Sequence, residues 1–257
     1  MILFRHVTKQ LQTKHWYLRF RYHKFIYQLW LLLRKEVRKK SKAQALFYFK
    51  SIPQTCSLIF DIGANEGVLT EVFSSFSKQV IAIEPDKRNL SILKAKFFNQ
   101  KNILILPVAV SEADGEQVWY EDSENYAMGT LSQKWNDSKA KNSFKKSYQS
   151  LVTTRSLDSL IQEFGLPDYI KIDVEGSELQ VLQGLSQKVA LLSFEAILPK
   201  FLEETILCLE RLCSLSPTAI FRYSENETMM YENYADKKRL LADIAGINQT
   251  IDIWCRM

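Results

Sequence analysis

Two acid-rich turns, far apart in the chain, hold the side chains best suited to chemistry. The first, Asp61-Ile62-Gly63-Ala64-Asn65-Glu66-Gly67, follows the apolar run Leu58-Ile59-Phe60; the second, Asp173-Val174-Glu175-Gly176, follows Tyr169-Ile170-Lys171-Ile172. Between them, Val80 to Ile83 ends in Glu84-Pro85, roughly twenty residues after the first turn, where strand-loop-helix nucleotide folds place a carboxylate on a ribose. A dinucleotide pyrophosphate is anionic and sits against glycine amides with no carboxylate in the way. Here Asp61 and Glu66 flank the loop, and Asn65 stands where a dinucleotide fingerprint has glycine. Two acids and an amide suit a ligand with positive charge, which S-adenosylmethionine supplies through its ammonium and sulfonium groups. Glu84 fits the ribose of either cofactor.

The three histidines, His6, His15 and His23, all lie near the start, so a general base in the rest of the chain must be another residue type. Asp173 is the first choice. Glu175 and Glu195 share that role or offer oxygen ligands to a divalent cation. The plain structural alternative for Asp173 is a helix cap or a pair with Lys171; for Glu84 it is a solvated acid at a helix start, favoured by the helix dipole.

The elements that must hold these residues alternate. Strands are expected at Leu58–Asp61, Val80–Glu84, Ile103–Val110, Gln117–Tyr120, Leu151–Arg155, Tyr169–Ile172, Val189–Glu195, Ala219–Tyr223 and Ile251–Cys255. Helices are expected from about Val68 to Phe76, from Lys87 to Phe98, from a Ser156 cap to Phe164, after Glu178 through Leu185, and from Pro199 to Leu215. Alternation of this kind implies right-handed crossovers and a mostly parallel sheet. Residues 121–150 read as an irregular substrate-side insertion, in which Tyr126, Met128, Trp135 and Tyr148 either pack internally or stack on a sugar.

Residues 1–50 read as a basic, aromatic helical arm, and Ser51-Ile52-Pro53-Gln54 as the linker to a domain spanning 51–257. The arm holds 13 Lys and Arg against Glu36 alone, net +12, which leaves −7 for the remainder of a chain whose formal charge is +5. Its longest apolar run, Leu29–Leu33, is far short of the roughly 20 residues of a membrane span. Such a helix suits packing on the domain or on a second copy, docking on an anionic membrane surface, or nucleic-acid binding. The four cysteines show no Cys-x-x-Cys spacing, and no secretory leader pattern opens the sequence, so a reducing cytoplasm is the expected setting, with peripheral attachment to the inner membrane face through the arm.

Five segments in order, Asp61–Gly67, Glu84-Pro85, Pro107–Ser111 with Gly115-Glu116, Arg155–Leu160 and Ile170–Gly176, resemble the successive motifs of FkbM-type S-adenosylmethionine-dependent methyltransferases over about residues 57–196. The resemblance implies a doubly wound, mostly parallel, seven-stranded Rossmann-like α/β sheet and O-methylation of a glycan, glycolipid or related natural product. It further implies that Asp61, Gly63, Ala64, Asn65 and Gly67 form the methionine-side loop and that Glu84 holds the ribose. Pro85, Val108 and Ala109 then border the adenine, while Asp173 and Glu175 face the transferred methyl. Arg155 stands where members commonly have Thr or another small residue. Two other functions remain on the sequence alone: a noncatalytic binding protein of the same fold, and an RNA methyltransferase. Against the latter, the −7 domain repels a phosphate backbone and has no Asn-Pro-Pro-aromatic or Asp-Pro-Pro-aromatic motif.

Overall fold

Apolar runs alternating with amphipathic stretches build a central sheet in the computed structural model, which describes residues 35–53, 55–122, 129–140 and 147–257. In chain order the elements begin α1 (Lys35–Ser51), β1 (Leu58–Ile62), α2 (Val68–Ser74), β2 (Gln79–Ile83), α3 (Lys87–Lys96), β3 (Ile103–Leu106), β4 (Ala109–Val110) and β5 (Gly115–Asp122). They continue with α4 (Gln133–Ala140), β6 (Ser147–Arg155), α5 (Leu157–Phe164), β7 (Tyr169–Ile172), α6 (Glu178–Gln183) and β8 (Leu191–Ile197). The last are α7 (Leu202–Leu215), β9 (Ile220–Glu225), β10 (Thr228–Met229), α8 (Lys237–Ile244) and β11 (Thr250–Arg256).

The main sheet runs β10-β9-β11-β8-β7-β1-β2-β3. Pairing is parallel from β8 through β3 and antiparallel around β11 and β10. The sheet therefore has eight strands rather than the expected seven. The added strand is β10, which returns on β9 through Asn226 and Glu227, at φ 46° and 58°. Tight hairpin turns need such left-handed residues, usually with a glycine that this turn lacks.

The strand expected at Ile103–Val110 is two strands. Proline has no N–H to give a ladder, and at Pro107 the chain leaves the main sheet, so Ala109-Val110 joins a second sheet, β4-β6-β5. The expected irregular insertion contains α4 and the first half of β6. Helix α8, not foreseen, starts at Asp236, whose side chain accepts from the Arg239 amide.

Strand alternation gives the main sheet two faces. One packs Phe60, Ile62, Ile170, Ile172 and Phe194 with Leu160, Leu182 and Leu209 of α5, α6 and α7. The other packs Ile59, Tyr169 and Trp254 with Tyr48 of α1 and Phe73 of α2. Helix α1 crosses the boundary drawn at residue 50: Tyr48 and Ile52 are each 3% exposed, and the Tyr48 ring meets Phe73 at 5.5 Å and Trp254 at 5.6 Å. The rest of the basic arm, residues 1–34, lies outside the described residues.

Candidate active site

The chain leaves β1 toward β2 on one side and later enters β7 on the other, so the carboxyl ends of β1 and β7 form the sheet's topological switch point, where open α/β sheets bind ligands. The two acid-rich turns meet there. The Asp173 amide donates to the Ile62 carbonyl at 3.0 Å, and a Cβ on Gly63 (φ +78°) would fall 1.8 Å from the Asp173 carbonyl oxygen. Gly63 is required by the neighbouring turn as much as by any ligand. Gly67 (φ +74°) opens α2, and a Cβ there would meet the Phe97 ring at 2.5 Å. It packs against α3 and is absent from the cavity wall.

A cavity of about 570 Å³ lies over this crevice. Asp61, Gly63, Ala64 and Asn65 line it from the first turn, Glu84 and Pro85 from the end of β2, and Val108 and Ala109 from the passage between β3 and β4; Asp173, Glu175 and Glu195 also line it. The wall also includes residues for which the sequence carried no clear mark: Gln44 of α1, Trp119 of β5, and Gly129 and Leu131 of the insertion. A helical periodicity ending at Tyr48 was the available sign for Gln44; the insertion residues carried none.

Glu84, 4% exposed, is held at both oxygens, Oε1 accepting from the Asp86 amide and Oε2 from the Asn65 amide, each at 2.8 Å. Burial pushes its carboxyl up to about 7, with these amides pulling the other way. It is a buried, anchored acid rather than a solvated one. Asp61, 2% exposed, accepts from Thr70 Oγ1 at 2.5 Å, and burial raises it to about 6 against the pull of that bond and of Lys171.

One carboxylate oxygen each from Asp173, Glu175 and Glu195 lie within 4.8 Å of one another. Lys171, 2% exposed within β7, places Nζ 2.9 Å from Asp252 Oδ1 and 3.5 Å from Asp173 Oδ2. Burial opposes the Lys171 charge, but Asp252, Tyr48 and Asp173 hold the ammonium's pKa well above its ordinary value. Burial, and then the charges of Asp173 and Glu175, push the Glu195 carboxyl well above its ordinary value. The pairing of Asp173 with Lys171 is thus present. Asp173 does not cap α6, whose N-cap Ser177 makes no side-chain cap bond; Glu178 Oε1 accepts from the Val174 and Gly176 amides of the preceding turn at 3.2 Å each. Glu175 has φ +56°, a left-handed conformation that costs a side-chain-bearing residue of order 1 kcal/mol or more. Its carbonyl accepts from Thr130 Oγ1 at 2.9 Å, which ties the insertion to this rim.

Arg155 lies away from the cavity, bonding Ser159 Oγ and Glu163 at 2.9 Å and pairing with Asp114 at 3.2 Å. Trp135 packs on Phe201 at 6.0 Å with Lys200 over its ring, and Tyr148 is exposed; Tyr126 and Met128 lie outside the described residues.

With this geometry in view, the chain was compared with known proteins. No curated protein matches it in sequence. Among solved structures it is similar to a methyltransferase FkbM from Methylobacillus flagellatus, at 18% identity and TM-score 0.48, covering 79% of this chain and 44% of that one. The chain therefore spans less than half the length of that protein. It is also similar to a precorrin-6y C5,15-methyltransferase from Geobacter metallireducens, at 12% identity and TM-score 0.45, covering 82% and 85% of the two chains. A family model described as "Methyltransferase FkbM domain" matches residues 61–206, more than half of the chain and both acid-rich turns. The chain belongs to the FkbM family of methyltransferases, enzymes that use S-adenosylmethionine.

Proposed function

We propose that this methyltransferase acts on a hydroxyl of a glycan, glycolipid or related natural product. One observation carries the reading: in the cavity that Glu84 lines, three acids converge within 4.8 Å, and one of them, Asp173, is paired with a buried lysine. The wall chemistry fits S-adenosylmethionine, with Asp61 and Asn65 toward a cationic amino-acid end, Glu84 toward the ribose diol, and Pro85, Val108 and Ala109 toward the adenine. Bound there, the cofactor supplies an electrophilic methyl group for in-line displacement. Positioning then provides much of the rate, and a base takes the acceptor's proton. Asp173, at the end of β7 and paired with Lys171, is the acid assigned to take that proton, with Glu175 and Glu195 beside it on the rim. Lys171 fixes the Asp173 carboxylate through an anchor on Asp252.

Asp173→Asn tests the assignment. Methyl transfer should fall about 10²- to 10⁴-fold, with S-adenosylhomocysteine affinity within about 2-fold of wild type. Retained turnover would remove Asp173 as base. The same carboxylate spacing favours a second arrangement, a divalent cation held by the three acids. Activity lost to EDTA and restored by Mg²⁺ would select it.

The +12 arm supports peripheral docking on an anionic membrane; among the described residues no helix is long and apolar enough to cross one. Salt-sensitive flotation of the intact chain with phosphatidylserine vesicles is the expected result, and absence of flotation at low salt would discard the idea.

A further inference from the structure

Helix α1 has two unlike faces. Gln44 and Tyr48 turn inward, to the cavity wall and to the core. Leu46 and Phe49, three residues apart and so neighbours on the helix surface, are 54% and 47% exposed, and Lys50 is exposed beside them. The helix sequence holds Lys35, Arg38, Lys39, Lys40, Lys42 and Lys50 against Glu36 alone. Its direction places these cations. The helix passes the cavity at Gln44, at the carboxyl ends of the parallel strands, and finishes where Arg222 donates to the Ser51 carbonyl, shortly before β1 begins. At about 1.5 Å per residue, Lys35 therefore stands about 13 Å beyond Gln44, past the cavity wall, and five of the six cations fall in that stretch. The same excess of positive charge repels a second copy of the helix. A nucleic acid gains from the cations but nothing from Leu46 and Phe49. An anionic lipid leaflet meets both, its phosphates attracting the cations while the apolar side chains enter the acyl boundary.

We propose that α1 is the membrane-contacting element, with Leu46 and Phe49 inserted into an anionic leaflet, and that it sets the cavity beside the lipid surface, where the acceptor is a lipid-anchored glycan rather than a free one. This rests on the membrane and glycan readings above. It adds the face that docks, the side chains that enter the lipid, and the choice between a glycolipid and a soluble acceptor.

The test uses the full chain and phosphatidylserine–phosphatidylcholine vesicles. The double variant Leu46→Gln, Phe49→Gln should partition about 10-fold or more weakly than wild type at every salt concentration, the size expected when two half-exposed apolar side chains lose their burial. The triple variant Lys39→Gln, Lys40→Gln, Lys42→Gln should instead flatten the salt dependence. Unchanged S-adenosylhomocysteine affinity shows that each variant is folded. A diazirine-bearing phosphatidylserine supplies a reading on wild type alone: cross-links should map to α1 peptides, and cross-links confined to α5, α6 and α7 would overturn the docking face. Flotation of the double variant equal to wild type removes α1 as that face and leaves docking through residues 1–34 standing, whereas a wild type that does not float removes the membrane reading itself. Salt-sensitive RNA retention without vesicle binding would assign the helix to nucleic acid and overturn the lipid. When labelled methyl groups are transferred into cell extract, label should enter the lipid fraction. Label confined to water-soluble glycan removes the lipid-anchored acceptor while leaving hydroxyl methylation in place.

Discussion

Glu84 follows β2 with both carboxylate oxygens already held by backbone amides and its carboxyl pushed up to about 7, so under the proposed ribose-binding role its proton enters the binding equilibrium near neutrality. A ribose diol donates to this group and so favours the carboxylate. Below pH 7 the free protein holds the proton and must release it on binding; affinity for S-adenosylhomocysteine should therefore weaken as pH falls, toward about tenfold per unit. Titration calorimetry from pH 6.5 to 8 should show this slope in wild type and a much flatter, weaker profile in Glu84→Gln, lower by about 1.5–3 kcal/mol at pH 8, with the Asp61 carboxyl, raised to about 6, adding its own slope only at lower pH. A slope that persists in the variant would assign the proton elsewhere. Gly63 makes a second prediction at this scale. Its left-handed φ and the 1.8 Å approach to the Asp173 carbonyl leave no room for a methyl group. Gly63→Ala should cost more than about 4 kcal/mol or abolish folding, read as the chemical-denaturation midpoint. The acids at both turns were legible in the sequence because strand-end carboxylates beside glycines are uncommon without a task. The partner that fixes Asp173 was legible only as an adjacent lysine, since its anchor, Asp252, is brought in by the sheet.

At the scale of elements, period-2 and helical spacing located most of the main sheet and its helices. The Ser156 cap stands where it was expected, its side chain accepting from the Ser159 amide at 3.1 Å. Elements whose stability is tertiary were harder to see. β10 has two residues and exists because β9 offers an edge, and β4 changes sheets at a proline that a continuous apolar run conceals. Helix α1 follows one of the readings its composition allowed, packing on the domain: Tyr48 meets Phe73 and Trp254, and Gln44 lines the cavity. Tyr48→Ala should destabilise the protein by about 3–5 kcal/mol, as for other large core truncations. Removing residues 1–50 should lower thermal stability well below that of a truncation ending at residue 34, because only the longer one deletes Tyr48. Equal melting of the two truncations would contradict the role of α1 in the core.

Across the whole molecule, the cofactor crevice sets a pH signature on stability. Burial raises Asp61 to about 6 and Glu84 and Glu178 to about 7. An unfolded carboxyl loses its proton near pH 4, so between there and pH 7 the folded state binds more protons, and stability falls as pH rises through that window. Melting scans without cofactor should show their highest midpoint toward the acid side of the window, and S-adenosylhomocysteine should raise the midpoint most at pH 8. The −7 domain and the +12 arm give opposite electrostatics at the two ends of the chain, a division plain from the sequence, and Asp173, Glu175 and Glu195 meet on one rim as their strand-end positions led one to expect. The most direct test is transfer from ¹³C-methyl S-adenosylmethionine into fractionated cell extract, with the labelled product identified by NMR. Label is expected in methyl ethers of a glycan or glycolipid, present with wild type and nearly absent with Asp173→Asn. Label on amine nitrogen or RNA, or equal labelling by Asp173→Asn, would contradict hydroxyl methylation driven by this acid rim.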